Sequence, residues 1–224
     1  MAKPTIQGVL LDVDGTLVQS NDAHTHAWVE AYAAFGYTVA FAQVRRLIGM
    51  GGDRLMPTVT PDLQADEGVG KQIADRRKTI FLEQYAPSLQ PTPGARELVE
   101  ALQQRGLRTV ISSSAKRDEL DTLLRAAHVD DLLHEATTQD DVEQSKPAPD
   151  AVQVAVKKIS LPPDACVMLG DTPYDVESAQ RAGVVAIAVR CGGWDDAALA
   201  GAHAIYDDPA DLLAHLAQSP LATG

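Results

Sequence analysis

The sequence predicts an α/β protein: a parallel β-sheet covered on both faces by helices, with a helical insert after the first strand. Three observations predict it. Short apolar, β-rich runs recur, each too short for a helix and each followed by polar or glycine-rich residues. Amphipathic stretches separate the later runs, and strands alternating with helices make βαβ crossovers. Residues from about 18 to 86 break that alternation and read as helices alone.

Taken in order, Val9-Leu10-Leu11 is the first strand. The insert reads as helices over 22–35 and 41–48, one opening near Asp53, and one over 70–85. Residues 87–93, with three prolines, lead the chain back to the sheet. A helix over 96–105 puts Leu98, Val99 and Leu102 on one face, and Gly106 stands where a helix-ending glycine is favoured. The second strand covers 107–111 and leads to a helix over 119–127. A helix over 150–158 precedes the third strand, 165–169. The next helix, 173–182, stops at Gly183, and the fourth strand covers 184–189. His203 to Tyr206 forms a last edge strand before a terminal helix. The expected division is a core of residues 1–17 and 87–224 and an insert of residues 18–86.

Composition narrows the function. The 224 residues are 45% hydrophobic and 22% charged, which excludes a disordered chain. A net charge of −12 disfavours a nucleic-acid partner, because phosphate backbones are bound by Lys and Arg. Only Cys166 and Cys191 are present, too few for a disulfide framework. The longest apolar run, 184–189, is far below membrane-spanning length, and Asp12 interrupts the N-terminal run too early for a signal peptide. The expectation is a cytoplasmic protein without a membrane or nucleic-acid partner, as a monomer or homodimer.

Four polar segments carry the chemistry. Asp12-Val13-Asp14-Gly15-Thr16 follows the first strand directly. A calcium loop would need Gly at Leu17 and Glu at Ala23, so that reading fails. Ser112-Ser113-Ser114 ends the second strand, where hydroxyls and backbone N–H groups suit a phosphate oxygen. Lys146 is followed by two prolines that stiffen the approach to a helix. Asp171 and Asp175 flank the end of the third strand. All four belong on one edge of one sheet, the edge where open α/β sheets bind ligands.

A phosphate entering this set meets Asp12, Asp14, Asp171 and Asp175. Each like-charge pair at about 4 Å costs ~1 kcal/mol in water and ~4 at an effective dielectric of 20. Binding therefore requires cations. Lys146 supplies one charge, and carboxylates without a His or Cys cluster select Mg²⁺ over Zn²⁺. With the metal bound, one carboxylate attacks phosphorus and a second, two residues on, moves the proton. The remaining acids hold the ion, while Lys146 and a serine hydroxyl stabilise charge on the transferred group.

These segments, in this order, resemble the haloacid dehalogenase superfamily: Asp12 to Thr16 its first motif, a serine of 112–114 its second, Lys146-Pro147 its third, and Gly170-Asp171 through Asp175 its fourth. The resemblance implies a Rossmann-like core with an α-helical cap inserted after the first motif. It makes Asp12 the nucleophile and Asp14 the acid/base. Asp171, Asp12 and the backbone carbonyl of Asp14 become Mg²⁺ ligands, and Asp175 either joins the metal shell or orients the lysine. Spacing from Gly106 favours Ser113 as the second-motif serine, with Ser114 beside it. Dehalogenases of the superfamily lack a carboxylate at the second acid, so Asp14 points to phosphoryl transfer. Phosphonate-cleaving members use a cap lysine just beyond the stretch that ends here in Met50-Gly51-Gly52-Asp53-Arg54, which holds no lysine. Candidate substrate contacts are Gly49 and Arg54 in the insert and His24, ten residues after Asp14. The expected function is a Mg²⁺-dependent phosphatase for a small phosphorylated metabolite. The alternatives are a β-phosphoglucomutase-type phosphotransferase and a non-catalytic phosphate-binding regulator.

Overall fold

A computed structural model describes residues 5–222. Six strands form one sheet: β1 (Gly8–Leu11), β2 (Arg108–Ser112), β3 (Ala136–Thr137), β4 (Cys166–Gly170), β5 (Val185–Val189) and β6 (Ala204–Tyr206). Their order is β3-β2-β1-β4-β5-β6 and every pair is parallel. In this doubly wound order the winding reverses beside β1, between β1 and β4, and a crevice opens there at the carboxyl ends of the strands. Leu11 is level with Ile111 on one side and Leu169 on the other, so the residues that follow β1 and β4 emerge side by side.

The central strands, β1 and β4, are buried at every residue because both faces are covered. Val9 and Leu11 point into a cluster that contains Leu98 and Leu102 of α5 (Ala95–Gln104) and Leu120 and Leu123 of α6 (Arg117–Ala126). Leu10 points the other way, towards Val152 and Val156 of α7 (Asp150–Lys158) and Ala179 of α8 (Pro173–Arg181). This is the period of two expected of a strand. A last helix, α9 (Pro209–Ala214), packs on α5.

Between β1 and α5 the described chain adds no sheet strand. It forms α1 (Asn21–Ala34), α2 (Phe41–Arg45), α3 (Gly52–Val59) and α4 (Gly68–Ile80), the last continued by a π-helical turn, Phe81–Tyr85. Two expectations differ in detail. The helix expected over 41–48 ends at Arg45, because Gly49 adopts φ +106° and the chain turns there. The two-residue strand β3 was not expected, since two residues carry no periodicity to read.

Candidate active site

Asp12 leaves β1 with its N–H donating to the Leu169 carbonyl at 2.9 Å, so it starts at the winding reversal. One carboxylate oxygen accepts from Lys146 Nζ at 2.7 Å and the other from the Thr16 hydroxyl at 3.2 Å. Lys146 is fully buried. Its ammonium also donates to the Ser112 carbonyl at 2.6 Å and forms an ion pair with Asp175 at 2.7 Å. Asp175 is held by a reciprocal cap at the start of α8, where its Oδ2 accepts from the Thr172 N–H at 3.0 Å and hydroxyl at 2.7 Å. With one oxygen on the cap and the other on Lys146, it orients the lysine. Asp171 Oδ1 lies at the same 3.2 Å from the Thr16 hydroxyl, whose single proton the two carboxylates share, and Oδ2 accepts from the Asn21 amide at 2.8 Å.

One oxygen each of Asp12, Asp171 and Asp175 lies within 4.8 Å of the others. Three buried carboxylates thus face one ammonium. Burial, together with the neighbouring Asp175 and Asp171, raises Asp12 well above the usual carboxylate range despite Lys146. Burial and Asp175 push Asp171 up to about 7. Burial alone would lower Lys146, but Asp12 and Asp175 outweigh it and raise it. Such a surplus of negative charge in low dielectric is stable only if protonated or met by a cation. A hard, oxygen-preferring divalent ion fits this donor set, which has no His or Cys.

Asp14 stands apart from the cluster. Its carboxylate turns towards α1, accepting from the Ser20 hydroxyl and from His24 Nε2 at 2.7 Å. Burial raises its proton affinity, but His24, Ser20 and the nearby Arg77 outweigh that and leave it below the usual value. The His24 ring stacks on Phe81 at 3.9 Å, and its Nδ1 faces Arg77 at 2.6 Å. Arg77 has no acceptor, so Nδ1 accepts and the proton on Nε2 points at Asp14. Arg77 in turn grips Glu119 of α6 with one nitrogen at 2.8 and 2.6 Å from its two oxygens.

Asp12, Asp14 and His24 line a cavity of about 370 Å³ between the sheet edge and the insert. The predicted residues are not all on its wall. Ser114 and Gly49 line it, and the Ser114 hydroxyl donates to the Gly49 carbonyl at 2.9 Å. Gly49 needs its positive φ and leaves no room for a Cβ against the Thr172 side chain. Ser113 sits just behind. Its hydroxyl accepts from the Ala115 N–H at 3.0 Å, which leaves its own proton free to donate. Arg54 is turned aside onto Gln144. Sequence reasoning missed Thr16, Ser20, Asn21, Arg77, Glu119 and Asp53. Asp53 reaches from the insert to the N–H of Ser145 at 3.2 Å, next to Lys146. Ser20, Asn21 and His24 begin the helix that follows the acid pair, and that proximity was the one signal available. Nothing local marked Arg77.

Residues 6–183 match the family of haloacid dehalogenase-like hydrolases. The chain is 29% identical over 218 residues to phosphoglycolate phosphatase of Rhodospirillum rubrum, covering 92% of this chain and 89% of that protein. It is 31% identical over 189 residues to Protein SUPPRESSOR OF QUENCHING 1, chloroplastic, of Arabidopsis thaliana, covering 83% of this chain but spanning only 18% of that protein. Among solved structures, a hydrolase from Pseudomonas syringae superposes with a TM-score of 0.88 at 31% identity, covering 95% of this chain and 98% of that one.

Proposed function

We propose that this chain, which belongs to the haloacid dehalogenase-like hydrolase family, is a Mg²⁺-dependent phosphatase that hydrolyses a small phosphorylated metabolite through an aspartyl-phosphate on Asp12. The observation that carries the reading is the buried surplus of carboxylate charge around Lys146, joined through Asp12 to a cavity that Asp12 and Asp14 both line. In this reading residues 1–17 and 87–224 are the catalytic core and residues 18–86 the cap. Asp12, Asp171 and the backbone carbonyl of Asp14 would hold the ion, with Asp175 fixing Lys146. When bound, such an ion would offset the phosphate charge and polarise the P–O bonds.

An Asp12 carboxylate oxygen attacks phosphorus and the ester P–O bond breaks. Asp14 gives the leaving oxygen its proton. Asp14 is depressed in the free enzyme, and the arriving phosphate charge beside it raises its proton affinity for that step. Asp14, now a carboxylate, takes a proton from water, which attacks the phosphoryl group and returns Asp12 and inorganic phosphate. Lys146, through the positive charge it places beside Asp12, and the Ser113 hydroxyl, whose proton is free, stabilise charge on the transferred group. The cap, through Gly49 and His24, excludes bulk water while this proceeds. A cavity of about 370 Å³ suits a small molecule. Among the described residues no helix is long and apolar enough to cross a membrane, and the two unpaired cysteines support a reducing, cytoplasmic setting.

The test is phosphate release from a panel of phosphomonoesters with Mg²⁺ and with EDTA, beside Asp12→Asn. Release that needs Mg²⁺ and falls on the order of 10⁴-fold in the variant is expected. Conversion of β-glucose 1-phosphate to glucose 6-phosphate without free phosphate would make it a phosphotransferase. No turnover with phosphate binding intact in Asp12→Asn would make it a binding protein.

A further inference from the structure

We infer that Asn21 is a positioning residue for Asp171, and that through it the first cap helix sets the affinity of the metal site. The inference rests on the proposed magnesium reading and adds a residue to it.

Asn21 is the first residue of α1 and is 5% exposed. Its amide nitrogen donates to Asp171 Oδ2 at 2.8 Å and lies 3.4 Å from the Gly192 carbonyl. A carboxylate only accepts, so the nitrogen must face it. The Asn21 oxygen is buried without a partner. In a finished site that is a cost, unless a donor arrives with the ligand. Mg²⁺ keeps several waters when it binds, and those waters are donors. The backbone is cut to fit this contact from two sides. A Cβ on Gly15, which holds φ +78°, would collide with the Asn21 amide and Asp171. A Cβ on Gly192 would collide with Asp171. Thr16 holds the other Asp171 oxygen, so Asn21 and Thr16 together leave the carboxylate one orientation.

The contact also ties two parts of the reaction together. One turn along the same helix, His24 reaches Asp14. A cap displaced from the position described would pull Asn21 from the metal ligand and His24 from the acid/base at once. Partners that orient metal ligands typically cost 10- to 100-fold in metal affinity when removed.

The experiment is calorimetric titration of the full chain with Mg²⁺ alone, for wild type, Asn21→Ala and Asn21→Ser. Serine keeps a residue favoured at helix starts but cannot span to Asp171. Thermal unfolding in EDTA checks that each variant folds. The expected result is a Kd raised about 10- to 100-fold in both variants. In EDTA their unfolding midpoints stay near wild type. A folded variant that binds Mg²⁺ within twofold of wild type overturns the inference. So does loss of cooperative unfolding in both variants, which would make Asn21 a structural residue. If wild type itself gives no magnesium heat, the metal reading falls and this inference with it.

Discussion

On the core side, where Asp12 lines the cavity and Lys146, Asp171 and Asp175 stand behind it, all four are buried, each with at least two polar partners; Asp12 and Asp171 follow central strands, Lys146 precedes α7 and Asp175 lies in the first turn of α8. On the cap side, the Lys71–Asp75 pair is more than half exposed and spans one helix turn, and the wall itself is a glycine-rich turn around Gly49. The contrast separates two tasks. The core wall is over-determined, so it can hold charges together that water would otherwise separate. The cap wall is lightly constrained, so it can change what the cavity accepts without disturbing the charges. Asn21, His24 and Arg77 cross that divide: they belong to the insert by sequence, yet Asn21 and His24 are buried against Asp171 and Asp14, and Arg77, half-buried, reaches both Glu119 and His24.

The sharpest way to break the comparison is to remove the core's one ammonium. Lys146→Met leaves three carboxylates facing each other, so urea unfolding in EDTA should show a loss of about 3–5 kcal/mol, and phosphate release should cease. If stability holds, the core wall is not the rigid half. Next is Arg77→Ala, which should lower kcat about 10- to 100-fold by freeing His24 and thus the proton on Asp14. KM should move little, as shown by initial rates over a substrate series. A change in KM alone would return Arg77 to the recognition side.

The core wall should also be sensitive to pH when no metal is present. Asp171 titrates near 7 in the folded chain against an ordinary 3.8. The folded state therefore holds the extra proton, and its stabilising contribution is complete below about pH 4 and lost as pH rises through about 7. In EDTA the unfolding midpoint should fall between pH 5 and pH 8, and Mg²⁺ should restore more of it at pH 8, where no proton competes. A flat profile would mean that these acids stay ionised unaided. The smallest effect belongs to the cap. Lys71→Ala should change stability by no more than about 0.5 kcal/mol, while the ranking of substrates by kcat/KM should shift across the phosphomonoester panel.

The same contrast governs what the sequence revealed. Runs such as Val9-Leu10-Leu11 and Cys166 to Leu169 announce buried strands, and each polar segment behind them was legible because strand ends of a parallel sheet share one edge. Asp12 and Asp171 could be grouped on that ground, and Lys146 and Asp175 joined them as residues at or just before the start of a helix on the same edge. The contacts that cross between halves could not. Asn21 meets Asp171 across 150 positions, and Arg77 meets Glu119 across 42. Neither pair has a local pattern, because what joins them is the docking of the insert. Arg54 shows the converse: a cation beside the right turn in the sequence points at Gln144 once the helix is formed.

The placement of β1 has a consequence for biosynthesis. Gly8 pairs with Arg108 on one side and Cys166 on the other. The segment destined for the middle of the sheet is therefore translated first and waits, with both ladders of backbone groups open, until about a hundred further residues have left the ribosome. The five α-helices made in the interval, α1 to α5, can consolidate early, whereas the strand that carries Asp12 gains its second flank only once Cys166–Gly170 has been made. Until then this apolar segment keeps a row of backbone groups unpaired, the kind of open edge that invites wrong pairings.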